Sequence, residues 1–363
     1  MKKYLVSKKN KINKIDVLSL SKEELKEAMR DICKDEAEIK IEDFRSEQIY
    51  SWIYKTSGVI DFFGMSNISK NLQKIFDDKL YIGRLDILKK QVSSDGTIKY
   101  LFGLNDGNMI ESVFMKYNHG NTVCISTQVG CRMGCAFCAS TEGGLSRNLM
   151  PSEMLLQVIT VQRDAGERVS NIVLMGIGEP FDNFDNVIKF LELVNSKDGL
   201  NIGYRHISVS TCGLVDKISK LRDINIPVTL SISLHASNDD TRKKIMPISN
   251  KWSVRELIKS CREYVEVTKR RISFEYILID GVNDSEEAAL ELALRLRNML
   301  CHVNLILINE VTKNSGRKFF PPSEKKARVF QRTLENHGIN ATFRRKCGGD
   351  IEASCGQLRK NNM

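Results

Sequence analysis

No stretch of the chain approaches the roughly 18 consecutive apolar residues that a bilayer-spanning helix needs, and its lysine-rich start, residues 1–11, lacks the apolar centre of a secretory leader. A cytoplasmic protein without a membrane segment is the expectation. Cysteine is too sparse, at 10 in 363 residues, for a disulfide scaffold, so the thiols read as metal ligands or reactive groups in a reducing compartment. Acidic residues are also short, 45 against 55 Lys plus Arg. The resulting +10 suits a polyanionic partner and suits ordinary solubility equally well. With 42% hydrophobic residues, the chain is long enough for one large domain and a smaller one.

What is present is organised around Cys131-Arg-Met-Gly-Cys135-Ala-Phe-Cys138, a C-x3-C-x2-C run directly after a short apolar segment. Three soft thiolates on a Gly-containing loop can converge on zinc or on an iron-sulfur cluster. A closed structural zinc site would need a fourth protein ligand nearby, and no Cys or His follows Cys138 at such a spacing. The site is therefore expected to be open, able to bind a small molecule at the metal.

In chain order, residues 1–15 read as an aperiodic basic tail. Ser21 with Glu24 forms a capping box ahead of an apolar stripe, predicting a helix over 22–33. Further helices are predicted over 46–54 and after Ser69, making a small helical unit over 1–86. Within it Phe44-Arg45-Ser-Glu-Gln48-Ile-Tyr50 and Trp52 mix aromatic and basic residues, and their helical spacing favours packing over base stacking. Asp95-Gly96 and Asp106-Gly107 are hairpin signals that predict a β-meander linker over 87–116. Its third strand, Met109–Met115, carries a single acid, Glu111, for which alternation predicts a place facing solvent.

From 117 to 350 apolar strands alternate with amphipathic helices. Strands are predicted over 122–126, 171–175, 206–210, 228–234, 272–279 and 303–308, with a last one near 341–344. Helices are predicted over 151–163, 186–194, 253–265, 285–298 and 323–337. Six strand-helix units imply an α/β fold with a parallel sheet, a partial (β/α)6 barrel whose chemistry lies at the C-terminal strand ends. There the sequence places Gly176-Ile-Gly178-Glu179-Pro180, Ser210, Ser233-Leu234-His235 and Asn309, polar groups suited to a nucleoside cofactor. Residues 351–363 form a tail carrying Cys355.

The thiol run, with Phe137 before its last Cys, resembles the radical S-adenosylmethionine superfamily. Across nearly the whole chain the motifs Phe44-Arg-x-x-Gln48, Cys124-Ile-Ser-Thr-Gln-Val-Gly-Cys131, Met175-Gly-Ile-Gly-Glu-Pro180, Ser231-Ile-Ser-Leu-His235, Gly281-Val-Asn-Asp-Ser285 and Cys355-Gly-Gln-Leu358 resemble the dual-specificity adenine C2 methyltransferases of 23S ribosomal RNA and transfer RNA. That resemblance implies a [4Fe-4S] cluster on Cys131, Cys135 and Cys138, with S-adenosylmethionine contacted by Gly178, Glu179, Ser210, Ser233, Leu234, His235 and Asn309. It further implies two S-adenosylmethionine molecules. One methylates Cys355, and the other yields the radical that takes hydrogen from the S-methyl group, whose carbon then adds to the base. Cys124 would attack Cys355 to free the RNA with disulfide formation, and either Cys124 or Glu111 would take the C2 proton. The implied partners are 23S ribosomal RNA, transfer RNA and an external flavodoxin-like or ferredoxin-like one-electron reductant, with the protein a monomer. Cys347 is read as incidental, and Cys33, Cys212, Cys261 and Cys301 as small core residues. The competing expectations are C8 methylation of the same ribosomal RNA, conferring antibiotic resistance, and a non-catalytic RNA-binding protein with a structural metal.

Overall fold

The computed structural model describes residues 5–7, 13–37, 41–55, 61–312 and 318–353. The chain opens with β1 (Leu5–Ser7), β2 (Asn13–Asp16), α1 (Lys22–Ala37), α2 (Phe44–Lys55), α3 (Lys70–Lys79) and β3 (Leu80–Tyr81). The supposed tail is thus partly structured, since β2 pairs antiparallel with β1 and parallel with β3. Burial of Val17, Leu18 and Leu20 on the helices explains why the preceding residues are held in place.

The meander β4 (Asp86–Val92), β5 (Ile98–Gly103) and β6 (Met109–Met115) leads into β7 (Thr122–Cys124). A hairpin of β8 (Gln128–Gly130) and β9 (Leu145–Asn148) brackets the thiol loop. Then follow α4 (Pro151–Ala165), β10 (Asn171–Leu174), α5 (Phe184–Asn195), β11 (Ile207–Thr211), α6 (Val215–Ile224) and β12 (Thr229–Ser233). The chain continues through α7 (Asp239–Ile245), α8 (Val254–Thr268), β13 (Ile272–Leu278), α9 (Glu286–Leu296) and β14 (Cys301–Leu307). It ends in the short pair β15 (Val311–Thr312) and β16 (Lys318–Phe319), then α10 (Glu324–Asn336) and β17 (Ala341–Phe343).

One sheet of ten strands, ordered β17-β14-β13-β12-β11-β10-β7-β6-β5-β4, carries the fold. Within it β7, β10, β11, β12, β13, β14 and β17 are parallel and lie side by side in chain order, the topology of a partial barrel rather than a doubly wound sheet. The meander is no separate layer, because β6 pairs antiparallel with β7 and continues the same sheet. Helices α6 and α7 were not anticipated, the first having few apolar residues and the second being a charged seven-residue turn.

The N-terminal helices share a continuous apolar core with the barrel. Lys189 bonds Glu24 at 2.6 Å, and Arg163 donates to the Ile53 carbonyl at 2.7 Å. Asp16 is fully buried at this joint, accepting from the Ser19 hydroxyl at 2.7 Å, while Ser19 Oγ accepts from the Ser152 amide at 3.2 Å. Burial pushes the Asp16 carboxyl up to about 6. In α2, Ile49, Tyr50 and Ile53 are buried as the spacing predicts, while Phe44 is exposed beneath the Arg45 guanidinium.

Candidate active site

Cys131, Cys135 and Cys138 all line one cavity, in the loop between β8 and β9. Gly134 has φ of 71°, a left-handed turn that lets the loop fold over between the first two thiols. The Ala136 amide donates to the Ile245 carbonyl at 2.8 Å, pinning the loop to α7. Burial, opposed by the Met133 amide and reinforced by the charge of Cys138, pushes the Cys131 thiol up to about 12, and burial raises Cys135 as well. Thiols in that state need a cationic centre to hold them as thiolates. Among the described residues no three His, Cys, Asp or Glu side chains are grouped to hold a single metal ion. A cluster that takes three thiolates on separate irons and leaves one iron open suits three protein ligands better than a closed zinc site, which takes four.

The opposite walls are the C-terminal strand ends. Gly178, Glu179, Ser210, Ser233 and His235 line the same cavity. Glu179 accepts from the Phe181 amide at 2.9 Å and the Cys212 amide at 2.7 Å. Its carboxyl is raised by burial, an effect these amides offset. Gly178, at φ 111°, lies so close to Gln128 that a Cβ there would fall 2.7 Å from the Gln128 Cβ. Gln128 in turn accepts from the Glu179 amide at 2.8 Å, so the Gly-Ile-Gly-Glu turn is docked on β8. His235, also in the left-handed region, accepts at Nδ1 from the Ile277 amide at 3.1 Å and meets Phe137 edge-on. Burial, helped by Arg242, drives its imidazole down to about 3, so it stands neutral.

Two expected residues lie elsewhere. Leu234 packs its side chain in the main core, and its carbonyl accepts from Arg242. Asn309 lines a second, adjoining cavity.

Three residues of the site escaped sequence reasoning. Arg242, wholly buried, donates to the carbonyls of Leu234 at 2.8 Å, Cys212 at 2.6 Å and Ser233 at 3.1 Å and to Ser249 Oγ at 2.9 Å, tying the ends of β11 and β12 together. In sequence it sits in a run of charges that reads as a solvated face. Glu275 accepts from Asn304 Nδ2 at 2.9 Å through Oε1, while its buried Oε2 makes no hydrogen bond and stands 3.6 Å from the Arg344 guanidinium, both side chains lining the cavity. That carboxylate, beyond hydrogen-bond distance of Arg344, can still accept from the amine or hydroxyls of a polar cofactor. A lone acid in an apolar strand was its available signal. The third is Gln128, visible only as part of a motif.

Glu111 does not face solvent. It is fully buried and paired with Lys99 at 3.1 Å, because its side of β6 turns inward. The register sets Lys99 opposite Val113 and Val113 opposite Cys124, placing these three in one row across the sheet with Glu111 one step along the same face. Cys124 lies in a small apolar cluster with Val113, Ile177, Cys347 and Ala353. Cys347 is thus buried beside this row, its Sγ 3.5 Å from the Tyr117 hydroxyl. Cys33, Cys212, Cys261 and Cys301 are buried as expected, although Cys212 also lines the thiol cavity. Cys355 lies outside the described residues.

Comparison with known proteins places this geometry. Residues 125–293 match the radical SAM superfamily, and residues 15–82 match a ribosomal RNA large subunit methyltransferase N-terminal domain. Proteins of Alkaliphilus oremlandii and Desulforamulus reducens, both called probable dual-specificity RNA methyltransferase RlmN, are 52% and 48% identical to the chain. Each match covers 97% of this chain, with 99% of the first relative and 98% of the second. A crystal structure of a radical SAM methyltransferase from Sphaerobacter thermophilus superposes with a TM-score of 0.87 at 41% identity, covering 95% of this chain and 99% of that one.

Proposed function

Because the chain belongs to the dual-specificity RNA methyltransferases of the radical SAM superfamily, we propose that it methylates carbon 2 of adenine 2503 in 23S ribosomal RNA and of adenine 37 in transfer RNA. The observation that carries this reading is the shared inward face of Cys124 and Glu111 beside the thiol cavity. Its apolar cluster includes Ala353, two residues before Cys355.

A [4Fe-4S] cluster held by Cys131, Cys135 and Cys138, together with S-adenosylmethionine, supplies one-electron chemistry and a carbon radical. Such chemistry is needed because C2 of adenine offers no lone pair to a methyl donor. Glu179, Ser210, Ser233, His235 and Glu275 surround the cavity that the cofactor would fill, and neutral His235 presents no charge to its sulfonium. Leu234 and Asn309 complete the set that the family implies. Cys355 carries the methyl carbon to the base, and Cys124 attacks Cys355 to release the product, leaving a disulfide. Glu111, paired with Lys99 at 3.1 Å, is one acceptor for the C2 proton, the alternative being Cys124.

Residues 1–86 serve as an accessory unit for RNA, 87–116 join it to the core over 117–350, and 351–363 deliver Cys355. An external flavodoxin-like or ferredoxin-like reductant, a monomeric state and a cytoplasmic setting complete the reading. Among the described residues no helix is long and apolar enough to cross a membrane.

Expression in a bacterium lacking its own C2 methyltransferase tests the assignment. Mass spectrometry should find 2-methyladenine in both RNAs. Finding only 8-methyladenine would move the protein to the C8 enzymes. Unmodified RNA, with a colourless zinc protein that leaves S-adenosylmethionine intact, would make it a binding protein.

A further inference from the structure

A second cavity of about 340 Å³ adjoins the first and shares Ile306 and Arg344 with it. That volume is within the range of small-molecule sites, roughly 300–1,000 Å³. Its chemistry differs from that of the thiol cavity. The Arg345 guanidinium lies over the Tyr117 ring at 5.8 Å, and the Arg328 guanidinium lies over Phe343 at 5.0 Å. Tyr117 is itself stacked on His119, with centroids 5.1 Å apart. Both arginines are exposed, so their guanidinium groups beside the rings remain available. Guanidinium groups, like aromatic rings, are platforms for unstacked bases.

The rim is basic, with Arg344, Arg345 and Lys346 consecutive, which suits the phosphates on either side of an extruded nucleotide. Cys347 and Ala353 also line the cavity, so the chain passes it immediately before Cys355. Glu324 supplies an acceptor for an exocyclic amine.

We propose that this cavity holds the target nucleobase of the RNA, stacked against the Arg345–Tyr117 and Arg328–Phe343 pairs. The assignment rests on the reading of the chain as an RNA adenine methyltransferase and names the residues that would grip the base. A base stacked there stands between the cofactor cavity and the segment that carries Cys355. Asn309, at the wall of this second cavity, would then lie where base and cofactor meet.

The test uses the full chain with its cluster, oxidised so that no turnover occurs, and a transfer RNA anticodon hairpin with 2-aminopurine in place of the target adenine. Stacking quenches this probe. Binding to the wild-type protein should quench it. Arg345→Lys keeps the charge but loses the plane, and Tyr117→Leu removes the support. Each should leave the probe bright and weaken binding by about tenfold, the effect of one lost base stack. In Arg345→Lys the dependence of affinity on salt should be unchanged, because the phosphate charge is still met. Iron content and melting midpoint confirm that the variants are folded. Wild-type quenching in both variants would overturn the proposal. So would lost affinity for S-adenosylmethionine without RNA, since the cavity would then serve the cofactor. The methylation assay is separate: absence of 2-methyladenine from wild-type reactions removes the proposed function, whereas persistent quenching in the variants removes only this site.

Discussion

Lys99 and Glu111 form an ion pair at 3.1 Å with side chains 4% and 0% exposed. Lys99 also donates to the Glu352 carbonyl at 3.3 Å, so the pair couples the meander to the segment that leads toward Cys355. Breaking a buried pair from one side strands the other charge, at a cost of about 3–5 kcal/mol. Lys99→Met should therefore lower the unfolding free energy by that order. Lys99→Met/Glu111→Met should recover most of it in a denaturant double-mutant cycle. A double variant no more stable than Lys99→Met would show that the pair is not the energetic unit.

The two thiols act at different moments in the proposed reaction. Cys124→Ala should still take up the methyl group and couple it to RNA but fail to release it. Protein purified from cells should then carry covalently attached, ribonuclease-sensitive RNA on a denaturing gel. Cys124→Ala/Cys355→Ala should carry none. An adduct in the double variant, or none in a single variant with a normal cluster, rules out the assigned roles.

Arg242 satisfies three carbonyls and a hydroxyl with no exposure to water. Each acceptor left unpaired costs about 1–3 kcal/mol, so Arg242→Leu should destabilise the protein by at least about 3 kcal/mol. Because two of the carbonyls belong to Cys212 and Ser233 at the cavity wall, affinity for S-adenosylmethionine should fall as well. Calorimetric titration of a folded, iron-replete variant with unaltered affinity would contradict this.

Gly178→Ala should be poorly tolerated. The new Cβ would meet Gln128 Cβ at 2.7 Å and its amide nitrogen at 2.8 Å, from a left-handed backbone that side chains avoid. Overpacking of this kind costs about 1–3 kcal/mol. The displaced turn carries Glu179, so a larger loss should appear in cofactor binding than in the melting midpoint. Gly107→Ala, a left-handed glycine with nothing within 4 Å, tests backbone strain alone.

Asp16 gives a pH signature at the joint between the N-terminal helices and α4. Its folded carboxyl is raised to about 6 from 3.8, so the folded state takes up the proton first. Its contribution to stability is present below pH 3.8 and is lost as pH rises through 6. The burial of neutral His235 acts in the opposite direction as pH falls, so the comparison must be with a variant. Between pH 8 and 5, wild type should gain about 1.4 kcal/mol relative to Asp16→Asn, the value of one pH unit below 6. Parallel pH curves from denaturant titration would show that Asp16 does not titrate in this window.

The sequence by itself determined the barrel and its chemical type. Alternating apolar strands and striped helices admit few folds, and the spacing of Cys131, Cys135 and Cys138 fixes three soft ligands on one loop whatever surrounds it. Strand ends were legible for the same local reason, so Glu179, Ser210, Ser233 and His235 could be read as one rim. Tertiary structure decided what local pattern could not reach. Which face of β6 turns inward depends on pairing with β7, and that pairing reversed the expectation for Glu111. The same dependence hid Arg242, whose four acceptors come from three separate segments, and Glu275, whose partners Asn304 and Arg344 lie in other parts of the chain. Residues 13–16 look like tail in sequence because their partner strand, β3, lies more than sixty residues away. Local periodicity records which residues avoid water, whereas register and long-range pairing decide what each buried charge meets.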